Sequence, residues 1–237
     1  MEIYLNHIDG WDDAIISMFL SKRTLTPDLE KKVRELIRDH TNSSGDLHLK
    51  NKQLTEWLDT LFKWGTKHMT LLRFIDLSFT VYGLHRAGQD DLDAHSMRMN
   101  NRIIRSSTRL ANFFHGEKSE YYQNKILTTD EVLDFLNMKM PETIEYKDHT
   151  YIKTVNGYIL ESEKDNKDVK RGLYMLSIPS NFIFRCQLTE FAHIYKERNK
   201  NSGANPELKS AIETMADLLE QKSNSYINRN LLLTIPN

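Results

Sequence analysis

Arg86, Arg98, Arg102, Arg105 and Arg109 fall close together in the chain, with Asp90, Asp91, Asp93 and His95 among them. So many ionisable groups do not suit an ordinary buried helix, and they point to something anionic held there. A guanidinium is a planar fork of donors that grips a phosphate at two points and keeps its charge when desolvated. Ser107 beside Arg109 adds a hydroxyl donor. The competing readings are plain ones: an arginine-rich helix from Arg98 to Arg109 can be a solvated, ion-paired face, and Arg86 can pair with Asp90 four residues on. His95 reads equally as a hydrogen-bonded structural histidine. No metal site is expected, because carboxylates this close need further oxygen ligands that the sequence does not identify. Cys186 lies in an apolar run with no His or acid arranged beside it, so no thiol nucleophile is expected.

The elements that must position these groups can be read from periodicity. Leu77, Phe79 and Val81 alternate with Ser78 and Thr80, the period of a half-buried strand, which Gly83 is expected to close. Three helices precede it. Trp11 to Leu20 is apolar over much of its girth and reads as buried. Thr26-Pro27 is an N-cap followed by proline at the first helical position, with Leu29, Val33, Leu36 and Ile37 on one face. Leu54, Trp57, Leu58 and Leu61 repeat the helical spacing up to Gly65, with Trp57 and Trp64 expected in the core. Beyond the arginine cluster, Thr128 and Glu131 form a capping box. Tyr151 to Val155, Asn156-Gly157 and Tyr158 to Leu160 form a hairpin signal. Leu173 to Ile178 and Phe182 to Leu188 read as strands. Thr189 is the expected cap of a helix through Arg198 that carries His193, a residue in apolar company that also reads as simply packed. Asn205-Pro206 opens a last helix, and the tail from Asn224 to Asn237 reads as peripheral. The expectation is a helix-rich α+β fold with a central mixed or antiparallel sheet, one domain over 1–237 with a β-hairpin insertion at about 143–170.

Composition limits the partners. With 32 Lys and Arg against 33 Asp and Glu in 237 residues, nothing attracts nucleic acid or an acidic membrane globally, so an anion site must be local. One cysteine excludes an internal disulfide and fits a reducing compartment. There is no basic-apolar leader and no apolar run near about 18 residues, so a soluble cytoplasmic protein without membrane contact is expected.

Two stretches resemble the flavin-dependent thymidylate synthases. His68-x-Thr70-x-Leu72, followed by Leu77-Ser-Phe-Thr-Val-Tyr-Gly83-Leu-His-Arg86-Ala87, is similar to that family's H-x-S-x-L-E-H-x-x-F-x-F-x-I-E-G-x-S-R-A. Arg171 with Leu173, His193 with Arg198 five residues on, and Ala204-x-x-Glu207-Leu208 resemble its R-x-x-L-P, H-F-x-x-x-R and A-Q-x-E-I series. The departures fall on the signature R-H-R-x-x-S-x-x-E-x-S-x-R-Y and the residues leading to it. The family's H-Q-L-V-R-H-R lands on Asp90, Asp91, Leu92, Asp93, Ala94, His95 and Ser96, so only Leu92 and His95 match. About three residues are inserted after His95, and the pattern is regained at Ser107-Thr108-Arg109-Leu110.

The resemblance implies reductive methylation of dUMP, or a related uridine nucleotide, at carbon 5. Methylene-tetrahydrofolate and NADPH would be co-substrates, and FAD the cofactor. It implies substrate binding by Ser107, Arg109, Arg171 and Arg198, a catalytic role for Arg198 near the pyrimidine carbonyls, cofactor contacts from His68, His95 and His193, and a homotetramer. Two alternatives stand beside it. One is a nucleotide-binding descendant that has lost flavin chemistry through Ala94 and Ser96. The other, disfavoured by the neutral charge balance, is a nucleic-acid-binding module using the Arg-rich helix.

Overall fold

The structure, a computed structural model, describes residues 1–48, 50–94, 102–105, 118–154, 157–166, 169, 172–173 and 176–236. It is helix-rich with antiparallel sheets. A four-stranded sheet has the order β1 (Glu2–Asp9), β2 (Asp76–His85), β7 (Pro179–Gln187), β3 (Arg102–Arg105), and a three-stranded sheet has the order β4 (Thr143–Tyr146), β5 (His149–Thr154), β6 (Gly157–Leu160). The chain divides into two compact units, one of Met1, 82–89 and 105–181, the other of 2–81, 90–104 and 182–237.

In the larger unit the alternation in β2 is realised as read. Leu77, Phe79 and Val81 are fully buried. Phe79 stacks on Phe184 of β7 at 6.4 Å and on Phe191 at 5.5 Å between ring centroids, which seats the helix α6 (Leu188–Arg198) against the sheet. The three expected helices are α1 (Trp11–Ser21), α2 (Pro27–His40) and α3 (Lys52–Gly65). Thr26 and Asn51 cap the second and third by accepting from the backbone N–H of Leu29 and Leu54. Gly10 introduces α1 at φ 81, where a Cβ would come 1.9 Å from the Phe74 carbonyl oxygen, so the close approach of those backbones requires glycine. The α1 face is buried at Trp11, Ala14, Ile15 and Met18, whereas Leu20 is exposed. Trp57 is half-buried against Phe19, but Trp64 is exposed, with the Lys22 ammonium 4.1 Å above its ring. Trp64 is therefore not the core residue expected.

Helix α7 (Pro206–Lys222) begins as read, with Asn205 accepting from the Glu207 N–H at 2.9 Å. The tail is not peripheral. A short helix α8 (Arg229–Thr234) packs against α6, Ile227, Leu231, Leu232 and Ile235 are buried, and Arg229 pairs with Glu213 at 3.1 Å. Two other expectations are corrected. Helix α6 starts at Leu188, with the Gln187 N–H donating to Glu190 at 3.2 Å, so Thr189 lies inside it rather than at its cap. Residues 102–105 are strand, so the continuous Arg98 to Arg109 helix required of a nucleic-acid module does not form.

In the smaller unit β2 runs through Gly83, at φ 80, to His85, and the Gly83 N–H donates to the Asn181 side chain at 3.0 Å. The expected strand at Leu173 to Ile178 is absent from its described residues, where strand begins only at Pro179. The Leu176 and Ile178 carbonyls instead accept from the Ala87 and Arg86 N–H groups, both at 3.0 Å. They thus satisfy two of the orphan donors that open α4 (Arg86–Asp93). The hairpin forms with a shifted register: Thr154 pairs with Gly157 and Lys153 with Tyr158, so Gly157 opens β6 rather than sitting in the expected turn, and Asn156 lies outside the described residues. A further strand, β4, joins it through Lys147 and Asp148, both at positive φ.

The capping box is present on α5 (Thr129–Phe135). Thr128 accepts from the Glu131 N–H, and Glu131 in turn accepts from the Thr128 N–H at 2.6 Å and from the Lys118 ammonium at 2.8 Å. The Lys118 bond, then the Thr128 backbone bond, hold the Glu131 carboxyl down at about 2.

Two tests follow from this packing. Phe79→Ala is expected to cost about 3–5 kcal/mol in urea unfolding, through lost burial and the cavity left behind. Because Glu131 is depressed in the folded state, its contribution is present above the ordinary value of 4.5 and lost as pH falls toward about 2. A carbon-13 carboxyl titration should place Glu131 near the lower limit, and Lys118→Met should move it back up.

Candidate functional site

Arg198 ends α6, and everything holding that helix places it. The Leu188 N–H donates to the Ile75 carbonyl at 2.8 Å, Phe191 stacks on Phe79, and the Lys196 ammonium donates to the Ile235 carbonyl. Arg198 Nη2 donates to Asp91 Oδ1 of α4 at 2.8 Å. Among the described residues its Nη1 reaches only the Glu197 carbonyl, at 3.5 Å, and its buried Nε has no hydrogen-bond partner. An orphaned N–H of this kind costs about 1–3 kcal/mol, more when it belongs to a charged group, unless something accepts from it. The two side chains are 23% and 36% exposed, so the ion pair itself contributes little to stability. What it does is fix the guanidinium at one end and leave its other donors unspent.

The remaining residues singled out from the sequence divide by position. Ser107, Arg109, Arg171 and His95 lie outside the described residues. His68 is exposed, just ahead of a 3-10 helix at Met69–Phe74, with its ring 6.1 Å from that of Trp64. His193 is half-buried on α6, which packs against that same 3-10 helix. The structure thus puts the His68 segment beside the helix carrying His193 and Arg198. Ala94, in place of one of the resembled family's arginines, follows the end of α4.

A buried polar group at the start of α4 in the smaller unit has no signal in the sequence. His85 and Gln89 are wholly buried, and among the described residues both polar atoms of the Gln89 amide lack a hydrogen-bond partner, as does the Ser177 hydroxyl. Tyr122 meets His85 edge-on at 5.1 Å. Gly88 lets the His85 ring close in, since a Cβ there would come 2.7 Å from His85 Cε1. Gln89 sits in Gly-Gln-Asp-Asp, which reads as a solvated run, and only the one-turn-later Leu92, also buried, marks that face of the helix. Among the described residues no group of three or more His, Cys, Asp or Glu side chains could hold a metal ion.

Cys186 is buried on β7. Burial pushes its thiol well above the ordinary range, with Glu190 and Asp76 adding to the effect. A thiol kept protonated is not a nucleophile. Cys186 is therefore expected to resist iodoacetamide at pH 8 in the native protein and to alkylate at the rate of global unfolding, which mass spectrometry across a urea series would read.

No family model matches the chain, and no curated protein matches it. Solved structures do, and the class they define is that of the flavin-dependent thymidylate synthase fold. One is ThyX from Helicobacter pylori complexed with FAD and dUMP, at 12% identity and TM-score 0.59, with 98% of this chain and 99% of that chain covered. A second structure of the same enzyme with FAD and dUMP has TM-score 0.57 at 12% identity and the same coverage. The UMP/dUMP methylase PolB from Streptomyces cacaoi, bound with 5-Br dUMP, has TM-score 0.54 at 10% identity, over 95% of this chain and 92% of that one. At these identities the likeness establishes the fold. No helix among the described residues is long and apolar enough to cross a membrane.

Proposed function

We propose that the chain binds a pyrimidine nucleoside monophosphate and acts at carbon 5 of its base, as a divergent thymidylate synthase-like methyltransferase. The observation that carries the reading is the near end-to-end match, in both directions, to structures holding dUMP-type nucleotides. The chain's own chemistry supports it at Arg198, whose Nη1 makes only a 3.5 Å contact to the Glu197 carbonyl among the described residues and can donate to a ring carbonyl. There the guanidinium stabilises negative charge developing on the pyrimidine without reorganising. Ser107, Arg109 and Arg171 hold the phosphate in this reading. The fit to FAD rests on His68, an exposed imidazole beside the exposed Trp64 face, and on His193 nearby, with His95 as a further contact. FAD, when bound, supplies the redox chemistry, with methylene-tetrahydrofolate and NADPH as co-substrates. The reading carries a cytoplasmic homotetramer with it. Tyr4, Ile104 and Ile183, on three strands of the four-stranded sheet, are each more than half exposed, which suits burial against further copies.

A second reading, a nucleotide-binding descendant without flavin chemistry, is favoured by one observation: a carboxylate, Asp91, already occupies Arg198.

Titration of the purified protein with FAD and with dUMP separates the two. The enzyme reading expects bound yellow colour perturbed by dUMP, and a nucleotide-dependent rise in melting temperature, since a ligand at about 100 times its Kd adds about 2.7 kcal/mol. Arg198→Ala should abolish turnover with the fold intact, and Arg109→Ala should weaken nucleotide binding by roughly 2–5 kcal/mol. Colourless protein that still responds to nucleotide supports the second reading. No response to either ligand defeats both.

A further inference from the structure

The charges of the whole chain nearly cancel, but the larger unit gathers four of its cations where no acid answers them. Between Ala14 and Pro27, and again between Thr60 and Ile75, there is no Asp or Glu. The two stretches meet at the ends of α1 and α3, where the Lys22 ammonium stands 4.1 Å above the Trp64 ring. Arg23 follows Lys22, and Lys63 precedes Trp64. The His68 N–H donates to the Trp64 carbonyl at 2.8 Å, so the helical turn runs on past Gly65 and keeps Lys67 on the side of Lys63. Arg23, Lys63 and Lys67 are exposed. Among the described residues none of the four cations has an ion pair, whereas Arg34, Arg185 and Arg229 each meet at least two carboxylates.

Part of this charge has a local purpose. Lys22 and Lys63 close α1 and α3, where an ammonium offsets the negative end of the helix dipole. Two helix ends carry about one negative charge between them, so most of the positive charge is left over. An apolar tip completes the surface. Leu20, in the last turn of α1, is 63% exposed, and its carbonyl accepts from the Arg23 N–H at 3.0 Å, so the leucine and the arginine are adjacent. A nucleic acid strand would use Trp64 as a stacking platform, but Lys22 already covers one face of that ring, and Leu20 offers a base nothing. A protruding aliphatic side chain and a tryptophan ringed by Lys and Arg match instead the boundary of an anionic bilayer. There the cations meet the headgroups and the apolar tip enters among the acyl chains.

We propose that this end of the larger unit is a docking surface for an anionic lipid membrane, bound through Lys22, Arg23, Lys63 and Lys67 with Leu20 as the inserted tip. The contact is peripheral, since no helix among the described residues is long and apolar enough to cross a bilayer. It goes beyond the nucleotide reading and uses none of the residues assigned there to the substrate.

Co-sedimentation of the full-length protein with vesicles tests it. Vesicles of phosphatidylcholine mixed with phosphatidylserine should carry the protein down, and vesicles of phosphatidylcholine alone should not. The bound fraction should fall away at about 1 M salt, where the Debye length is about 3 Å. Trp64 emission should shift to the blue on binding, a change that Trp64→Phe removes. Each lysine near an anionic surface is worth about fivefold in affinity, so Lys63→Ala with Lys67→Ala should weaken binding about 25-fold. Leu20→Ser should weaken it at every salt concentration and leave the salt dependence as it was. Circular dichroism and the melting temperature establish that the variants are folded; where the double variant is not, Lys67→Ala alone should weaken binding about fivefold. Equal binding to the neutral vesicles, or none to the anionic ones, overturns the proposal. Binding unchanged in the folded lysine variants overturns these residues as its source. Capture of a single-stranded oligothymidylate through the same lysines, with no vesicle binding, overturns the lipid and gives the surface to nucleic acid. Each of these outcomes leaves the nucleotide reading untouched.

Discussion

The aromatic contact of Phe79 with Phe184 and Phe191 is the constraint on which the rest of the larger unit depends. It joins two strands to the helix Leu188–Arg198, and it does so with rings buried to the last atom. Once that helix is seated, its length fixes where Arg198 emerges, and α8 closes over the same helix. The position of one guanidinium is thus determined by apolar packing about two turns away. A polar group held this way inherits the rigidity of the core.

Asp91 changes what that rigidity is for. A guanidinium standing alone would be a general anion site, open to any phosphate or carboxylate. With Asp91 at 2.8 Å, part of its field is cancelled locally and one of its donors is already spent.

Much of the framework was legible because it is local. Thr26-Pro27, Asn205-Pro206 and the Thr128 to Glu131 box are caps whose chemistry is complete within a few residues, and each forms as read. The Asn156-Gly157 signal led to the hairpin but not to its register, because Gly157 is paired with Thr154 inside the strand. Its companion turn was missed because Lys147 and Asp148 adopt positive φ without a glycine to announce it. The tail was misjudged because Ile227, Leu231, Leu232 and Ile235 are buried by a helix that precedes them by more than 25 residues, which no window of sequence records. The site was half legible. Arg198 stood out through the family resemblance of the His193 to Arg198 stretch, but its partner lies 107 residues away, and Asp91 stood only as one of three clustered aspartates. Gln89 was hidden for the same reason, a polar residue among charges whose burial only the fold reveals.

Gly10 has a meaning beyond the local backbone. With a carbonyl 1.9 Å from where a side chain would start, selection on that position acts on the architecture and is indifferent to whatever chemistry the protein performs. Descendants could exchange every ligand-facing residue and still retain it. Where so little identity survives between this chain and its structural neighbours, such sterically forbidden positions are the fixed points from which sequences that have drifted this far can be brought back into register.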